Sequence, residues 1–379
     1  MKPFIYHNPT KLIYGEKQDL IGKILGESGH KSVLLVYGRN SIKKNGLYDE
    51  VVKSLRDENI EIIEHSGVSS NPTLSHAREG LEKAKKVTSV LAVGGGSVVD
   101  ESKAIAAAAL SNCDIWELFT GKVPTYALDL YVILTISATG SEMNDGAVLT
   151  NEKTDEKFSY KSKLNYPKVS IINPKFACSL PNDYLAYSAV DIIAHTIEVY
   201  FNAEVHPNIQ NRFAENIILS TIETTEKLLK NQNDLDARYE FALCSTWALN
   251  GLTKIGVGDV DFPCHMLEHS LSALYDTPHG AGLSVVIPAW LKWLVKRDDS
   301  QIRGFAKAVF NKDSAAEGIE ELEKWFRKIG SPISLNELDI SKKEINKIAQ
   351  NIYKTSLRWR MSDIYTVNVI EDILNNAIH

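Results

Sequence analysis

The hydrophobic period of this chain changes once, near Leu180, and each period dictates its own architecture. Before that point short β-branched runs alternate with amphipathic stretches. Strands are predicted at 32–37, 60–64, 89–93, 131–135 and 168–172, and helices at 47–58, 73–86 and 97–110. Such alternation is the mark of a parallel sheet covered by helices. Beyond Pro181, the segments 183–201, 210–229, 236–249 and 314–329 carry apolar residues at helical spacing. The expected fold is therefore an α/β domain with a parallel sheet, residues 1–180, followed by an all-α domain, residues 181–379. The two are expected to pack tightly around a cleft, where ligand sites concentrate.

With 379 residues, 44% of them hydrophobic, the chain can support two cores. A formal net charge of -6 and the absence of a basic block argue against a nucleic-acid surface. No run reaches the roughly 18 apolar residues of a membrane span, and the first fourteen residues lack a signal-peptide pattern. A cytoplasmic protein acting on small molecules is expected. Cys113, Cys178, Cys244 and Cys264 are scattered without a C-x-x-C pair, so they are read as reduced thiols.

Gly94, Gly95, Gly96 and Ser97 separate a strand from a helix. Glycines there admit a close ligand, and helix N-terminal N–H groups attract an anion, so a diphosphate is the expected occupant. The spacing is not that of the usual dinucleotide fingerprint. Gly38, Arg39, Asn40 and Ser41 follow an earlier strand where adenosine ribose commonly lies. Arg39, backed by Lys43 and Lys44, favours a 2′-phosphate and hence NADP(H), with NAD(H) as the alternative. Thr135, Ser137, Thr139 and Ser141 supply hydroxyls after another strand, and Lys157 is a charged partner for the diphosphate. Asn71, at an Asn-Pro turn, completes the candidate coenzyme contacts read from the residues.

Asp191 and His195 lie one turn apart on a predicted helix, and His265 and His269 repeat that spacing. His279 follows within fifteen residues of His265. This mixed nitrogen and oxygen set suits a divalent transition metal. His7, His30, His65, His76, His206 and His379 have no comparable company along the sequence and are read as structural or surface residues. Met143, Trp247, Leu252 and Phe262 are candidates for an apolar pocket lining.

Taken in order, these segments resemble the iron-containing alcohol dehydrogenases, in particular the butanol dehydrogenase and aldehyde reductase branch. The resemblance runs from Pro9–Gly15 through the triglycine segment, Ala138–Glu142 and Asp191–His195 to His265–His269 and Pro278–Gly280. It implies that Asp191, His195, His265 and His279 bind Fe2+ or Zn2+, and that His269 is a histidine near the nicotinamide. It also implies that residues 1–180 form the dinucleotide-binding domain and 181–379 the metal-binding and substrate domain, with phosphate contacts at Gly95, Gly96 and Ser97, Asp100, Thr135 and Lys157 nearby, and a homodimer. The implied reaction is hydride transfer between NADP(H) or NAD(H) and a short-chain alcohol or aldehyde, with His269 as a proton relay. A polyol dehydrogenase, a dehydroquinate-synthase-like lyase and a non-catalytic nucleotide- or metal-binding protein are the alternatives.

Overall fold

The computed structural model describes residues 1–111 and 113–378, and its backbone divides into two units, His7–Ser179 and Met1–Tyr6 with Leu180–His379. His379, read above as structural or surface, lies outside the described residues.

The first unit is built on strands β1 (Lys11–Tyr14), β2 (Ser32–Tyr37), β3 (Glu61–Ser66), β4 (Ser89–Gly94), β5 (Asp129–Leu134), β6 (Gly146–Asn151), β7 (Glu156–Lys161) and β8 (Val169–Ile172). Six of them form one parallel sheet in the order β1-β8-β5-β4-β2-β3. Its helices are α1 (Ile21–Glu27), α2 (Ser41–Lys44), α3 (Leu47–Asp57), α4 (Leu74–Ala84), α5 (Gly96–Ser111) and α6 (Ile115–Phe119). β2 and β4 are buried along their whole length, as near-continuous Val, Leu and Ala runs require when helices cover both faces. The antiparallel hairpin β6–β7 was not anticipated from the sequence.

The second unit contains α7 (Asn182–Asn202), α8 (Asn208–Lys230), α9 (Leu235–Leu249), α10 (Pro263–Tyr275), α11 (His279–Leu294), α12 (Ser300–Phe310), α13 (Ala315–Lys328), α14 (Ile345–Arg358) and α15 (Val367–Asn375). One continuous core joins them, with α7 and α11 buried almost all round. The N-terminal residues join this unit through Lys2, whose N–H bonds the Gly256 carbonyl at 2.8 Å and whose ammonium pairs with Glu204. Among the described residues no helix is long and apolar enough to cross a membrane.

Candidate functional site

The central helix of the second unit, α7, has no glycine or proline between Asn182 and Asn202, and Pro181 fixes its start. Helical periodicity puts Asp191, His195 and Glu198 on one side of it. Opposite them stand His265 and Glu268 of α10, which starts at Pro263 and stops where Asp276 turns left-handed at φ 51°. Thr277 and Pro278 then lead into α11, whose first residue is His279. Gly280 allows this helix to approach α7 closely, because a Cβ there would lie 2.2 Å from the Tyr187 carbonyl oxygen.

The three sequence-predicted histidine ligands converge on one atom of the fourth ligand, Asp191. Asp191 Oδ1 lies 3.4 Å from His195 Nδ1, 3.5 Å from His265 Nε2 and 3.7 Å from His279 Nε2. Ligand atoms of Asp191, His195 and His265 are all within 4.8 Å of one another. Asp191 Oδ1, His195 Nδ1 and His265 Nε2 are buried without a hydrogen-bond partner, whereas buried polar atoms are nearly always paired. A divalent ion would satisfy all three, so the residues fit the metal expected there.

Two further carboxylates, which the sequence reading missed, hold these rings. Glu198 Oε2 accepts from His265 Nδ1, while its Oε1 accepts the backbone N–H groups of Cys264 at 2.5 Å and His265 at 3.3 Å. Glu268 Oε2 likewise accepts from His279 Nδ1, and its Oε1 accepts from the Ser272 hydroxyl. With the ring hydrogen held at Nδ1, each imidazole turns its Nε2 lone pair toward Asp191, the arrangement typical of metal-binding histidines. The signal was available in the spacing: Glu198 lies two turns after Asp191, and Glu268 one turn after His265.

Electrostatics marks the same spot as a seat for positive charge. Burial would raise the Asp191 carboxyl, but His195, His265 and His279 around it outweigh burial and hold it well below the usual carboxylate range. Burial pushes His195 down to about 3. Burial also opposes charge on His265, yet Glu198 and Asp191 overcome it and push that ring up to about 10.

His269 is buried one turn further along α10, its ring centroid 6.0 Å from that of His279 and 5.4 Å, edge-on, from that of Trp359. Of the expected apolar lining, Phe262 stands edge-on to His265 at 5.8 Å. Trp247 instead is 37% exposed and packs against Phe213.

In the first unit, β4 delivers Gly94–Ser97 to the start of α5. A Cβ at Gly96 would lie 2.2 Å from Thr139 Oγ1, and the Thr135 N–H bonds the Gly94 carbonyl at 2.9 Å, so the loop carrying Thr135, Ser137 and Thr139 lies against the triglycine turn. The Ser97 hydroxyl donates to the Ser70 carbonyl at 2.6 Å. Next to Ser70, Asn71 Oδ1 accepts from Lys157 Nζ at 3.0 Å, with both side chains buried. Asp100 braces this region from inside, accepting from the Ser141 hydroxyl at 2.5 Å and the Val148 N–H at 3.1 Å. Lys103, unremarked in the sequence, donates to Ser141, Asn144 and Gly146; burial lowers its ammonium to about 8. Gly38 is half-buried after β2, and Arg39, Asn40 and Ser41 are exposed. Lys43, counted with Arg39 from the sequence, is committed elsewhere: its ammonium lies over the rings of Tyr37 and Tyr48 at 5.2 and 4.6 Å.

Two family models cover nearly the whole chain. Residues 9–174 match "Iron-containing alcohol dehydrogenase", and residues 185–378 match "Fe-containing alcohol dehydrogenase family, C-terminal". A probable NADH-dependent butanol dehydrogenase of Bacillus subtilis is 37% identical over 361 residues, 92% of this chain and 93% of its own length. The NADPH-dependent aldehyde reductase YqhD of Escherichia coli is 34% identical, with 93% of each chain covered. A crystal structure of NADH-dependent butanol dehydrogenase A from Thermotoga maritima superposes with a TM-score of 0.97 at 42% identity, covering 100% of this chain and 99% of that one. On the sequence matches and the fold alike, this chain belongs to the iron-containing alcohol dehydrogenase family.

Proposed function

We propose that the chain interconverts short-chain aldehydes and alcohols with NADP(H) as the favoured coenzyme, and that Asp191, His195, His265 and His279 hold one Fe2+ or Zn2+. The observation that carries this reading is the set of orphaned donor atoms around Asp191 Oδ1, with two imidazoles oriented by Glu198 and Glu268. When bound, the ion supplies a Lewis acid for the substrate oxygen and the nicotinamide supplies or takes up the hydride. Asp191 contributes the negative charge that retains a cation; Glu198 and Glu268 keep the ring hydrogens away from it. His269, buried beside His279, is the group that takes a proton from, or returns it to, the substrate oxygen. Backbone N–H groups at Gly95, Gly96 and Ser97 are suited to a diphosphate at the α5 N-terminus. Lys157, linked to Asn71, adds charge, and Ser137 and Thr139 add hydroxyls. Arg39 favours a 2′-phosphate, in keeping with the NADPH named for the Escherichia coli relative, although the butanol dehydrogenases are named for NADH.

Purified protein loaded with Fe2+ or Zn2+ and supplied with NADPH and butanal is expected to consume the reduced coenzyme. Asp191→Ala protein treated identically is expected to be inactive and to hold one equivalent of metal fewer than the wild type. Failure of the loaded wild type to reduce any straight-chain aldehyde would reject the substrate class, and full activity of Asp191→Ala would reject the metal assignment.

A further inference from the structure

A second cluster of metal-ligating side chains lies in the first unit, on residues whose company is invisible along the sequence. His65 at the end of β3, His76 in the first turn of α4 and Glu101 in α5 present ligand atoms within 4.8 Å of one another. Contrary to the sequence reading, His65 and His76 are thus neighbours. Their rings stack with centroids 4.2 Å apart, and Glu101 Oε1 lies 2.9 Å from His65 Nε2 and 2.7 Å from His76 Nδ1. Gly80 of α4 makes room for this, since a Cβ there would lie 2.8 Å from the His65 ring.

Three observations give the cluster the character of a cation site. First, Glu101 is fully buried, and its second oxygen, Oε2, has no hydrogen-bond partner. Second, His76 Nε2 faces the Ser66 carbonyl at 3.1 Å. A carbonyl only accepts, so the ring hydrogen sits on Nε2 and Nδ1 is aimed at Glu101, as in histidines whose outer nitrogen is fixed by a backbone acceptor. Third, with the Nε2 hydrogen given to Ser66, Nδ1 meets the carboxylate oxygen at 2.7 Å only by carrying a second proton or by turning its lone pair to a cation, so the contact calls for positive charge. The donors, two imidazole nitrogens and a buried carboxylate, form the His2Glu set favoured by Zn2+.

The geometry points to a second divalent-metal site, of the Zn2+ class, held by His65, His76 and Glu101. The ion ties β3, α4 and α5 together one turn below the triglycine segment, where Ser97 is already joined to the β3–α4 connection through Ser70. Its role is to fix the seat of the phosphate loop, and it is independent of the centre at Asp191.

Metal stoichiometry of the full-length chain tests this. After dialysis against Zn2+, the wild type is expected to retain two equivalents per chain and Glu101→Gln one. The His195→Ala/His265→Ala chain, with the first centre's ligands removed, is expected to bind Co2+ with the visible spectrum of a low-coordinate nitrogen and oxygen site. Adding Glu101→Gln should weaken that binding by more than about tenfold, the least that even outer partners of a ligand cost. Because His65→Ala leaves a buried gap, the near-isosteric Glu101→Gln is the decisive variant; a Zn2+-dependent rise in its Tm equal to that of the chain with Glu101 intact counts against the site. One equivalent in wild type, or Co2+ binding indifferent to Glu101→Gln, would show that a proton alone bridges the trio and overturn the proposal.

Discussion

Glu198→Gln tests the idea that a carboxylate beside a metal ligand acts by choosing which ring nitrogen carries hydrogen. In the native site Oε1 accepts two backbone N–H groups, from Cys264 and His265, and Oε2 accepts from His265 Nδ1. Leaving a buried N–H unmade costs about 1–3 kcal/mol, so the glutamine oxygen must take the Oε1 position and keep both donors satisfied. Its amide NH2 then faces His265 Nδ1, two donors cannot meet, and the ring hydrogen is driven to Nε2. That nitrogen is the one aimed at Asp191 Oδ1, 3.5 Å away. A metal ion would then have to displace a hydrogen that the native enzyme keeps on the far side of the ring. Metal affinity is expected to fall about 10–100-fold, or about 1.4–2.8 kcal/mol. Folding stability should move little, because volume and backbone hydrogen bonds are retained. Competition against a chromophoric Zn2+ chelator reads the affinity, and a urea midpoint on metal-free protein reads the fold. Zn2+ affinity within about threefold of wild type, less than about 0.7 kcal/mol, would refute the tautomer argument. Affinity lost only in step with stability would make Glu198 a brace of the α7–α10 packing instead. Glu198→Ala, which abandons both backbone donors, is expected to lose affinity and stability together.

Arg39→Asp should lower kcat/KM for NADPH by about tenfold or more while sparing NADH, because an acidic group at that exposed turn repels a 2′-phosphate; equal loss with both coenzymes would remove Arg39 from the recognition of that phosphate. Gly96→Ala drives a Cβ to 2.2 Å from Thr139 Oγ1 and should cost about 1–3 kcal/mol and raise the KM for coenzyme. Thr139→Ala in the same chain should recover part of that loss, and strict additivity in a double-mutant cycle would count against the contact. The Asp114 carboxyl is held below its usual range, first by the bidentate Arg78 partner at 2.8 Å. A depressed carboxyl stabilises the fold above its unfolded value of about 3.9 and loses that contribution as pH falls through the lower folded value. Asp114→Asn should therefore cost less than about 1 kcal/mol at neutral pH, the side chain being well exposed, with the difference narrowing on the acid limb of urea midpoints. A difference that grows with acid would contradict the sign.

The features legible in the sequence were those written within one element. β2 reads as a strand over Ser32–Tyr37 because six buried apolar and small residues lie between turn signals, and α7 reads as a helix because its apolar residues and its Asp191–His195 pair share one period. Elements with mixed patterns escaped. β7 buries Lys157 and Phe158 in succession, so strict alternation fails, and only its pairing with β6 makes it a strand. The coenzyme candidates illustrate a second limit. Asp100 and Ser141 were selected as groups able to face a ligand, yet they bond each other, and Lys103 completes a buried network that supports the loop from within. Sequence identifies polar residues near a turn; it does not reveal which of them satisfy one another.

The two histidine clusters separate these cases most sharply. At Asp191 the ligands announce themselves because one helix carries two of them a turn apart and another segment carries the remainder, so local periodicity already predicts convergence. His65, His76 and Glu101 contribute one residue from each of three elements, and no spacing along the chain relates them. Their meeting follows from the parallel topology: β3 leads through residues 67–73 into α4, and α4 packs against α5 as the helices return across the same sheet. The carboxylate partners Glu198 and Glu268 fall between these extremes. Each is a turn or two from a ligand on its own helix, but an acidic residue on a helix is ordinarily taken as solvent-facing, and only burial on every side of α7 and α10 turns both carboxylates inward. A chain whose central helices are apolar all round leaves its few charged residues nowhere to go except toward one another, and in such a helix each acid or histidine should be read first as one member of a site.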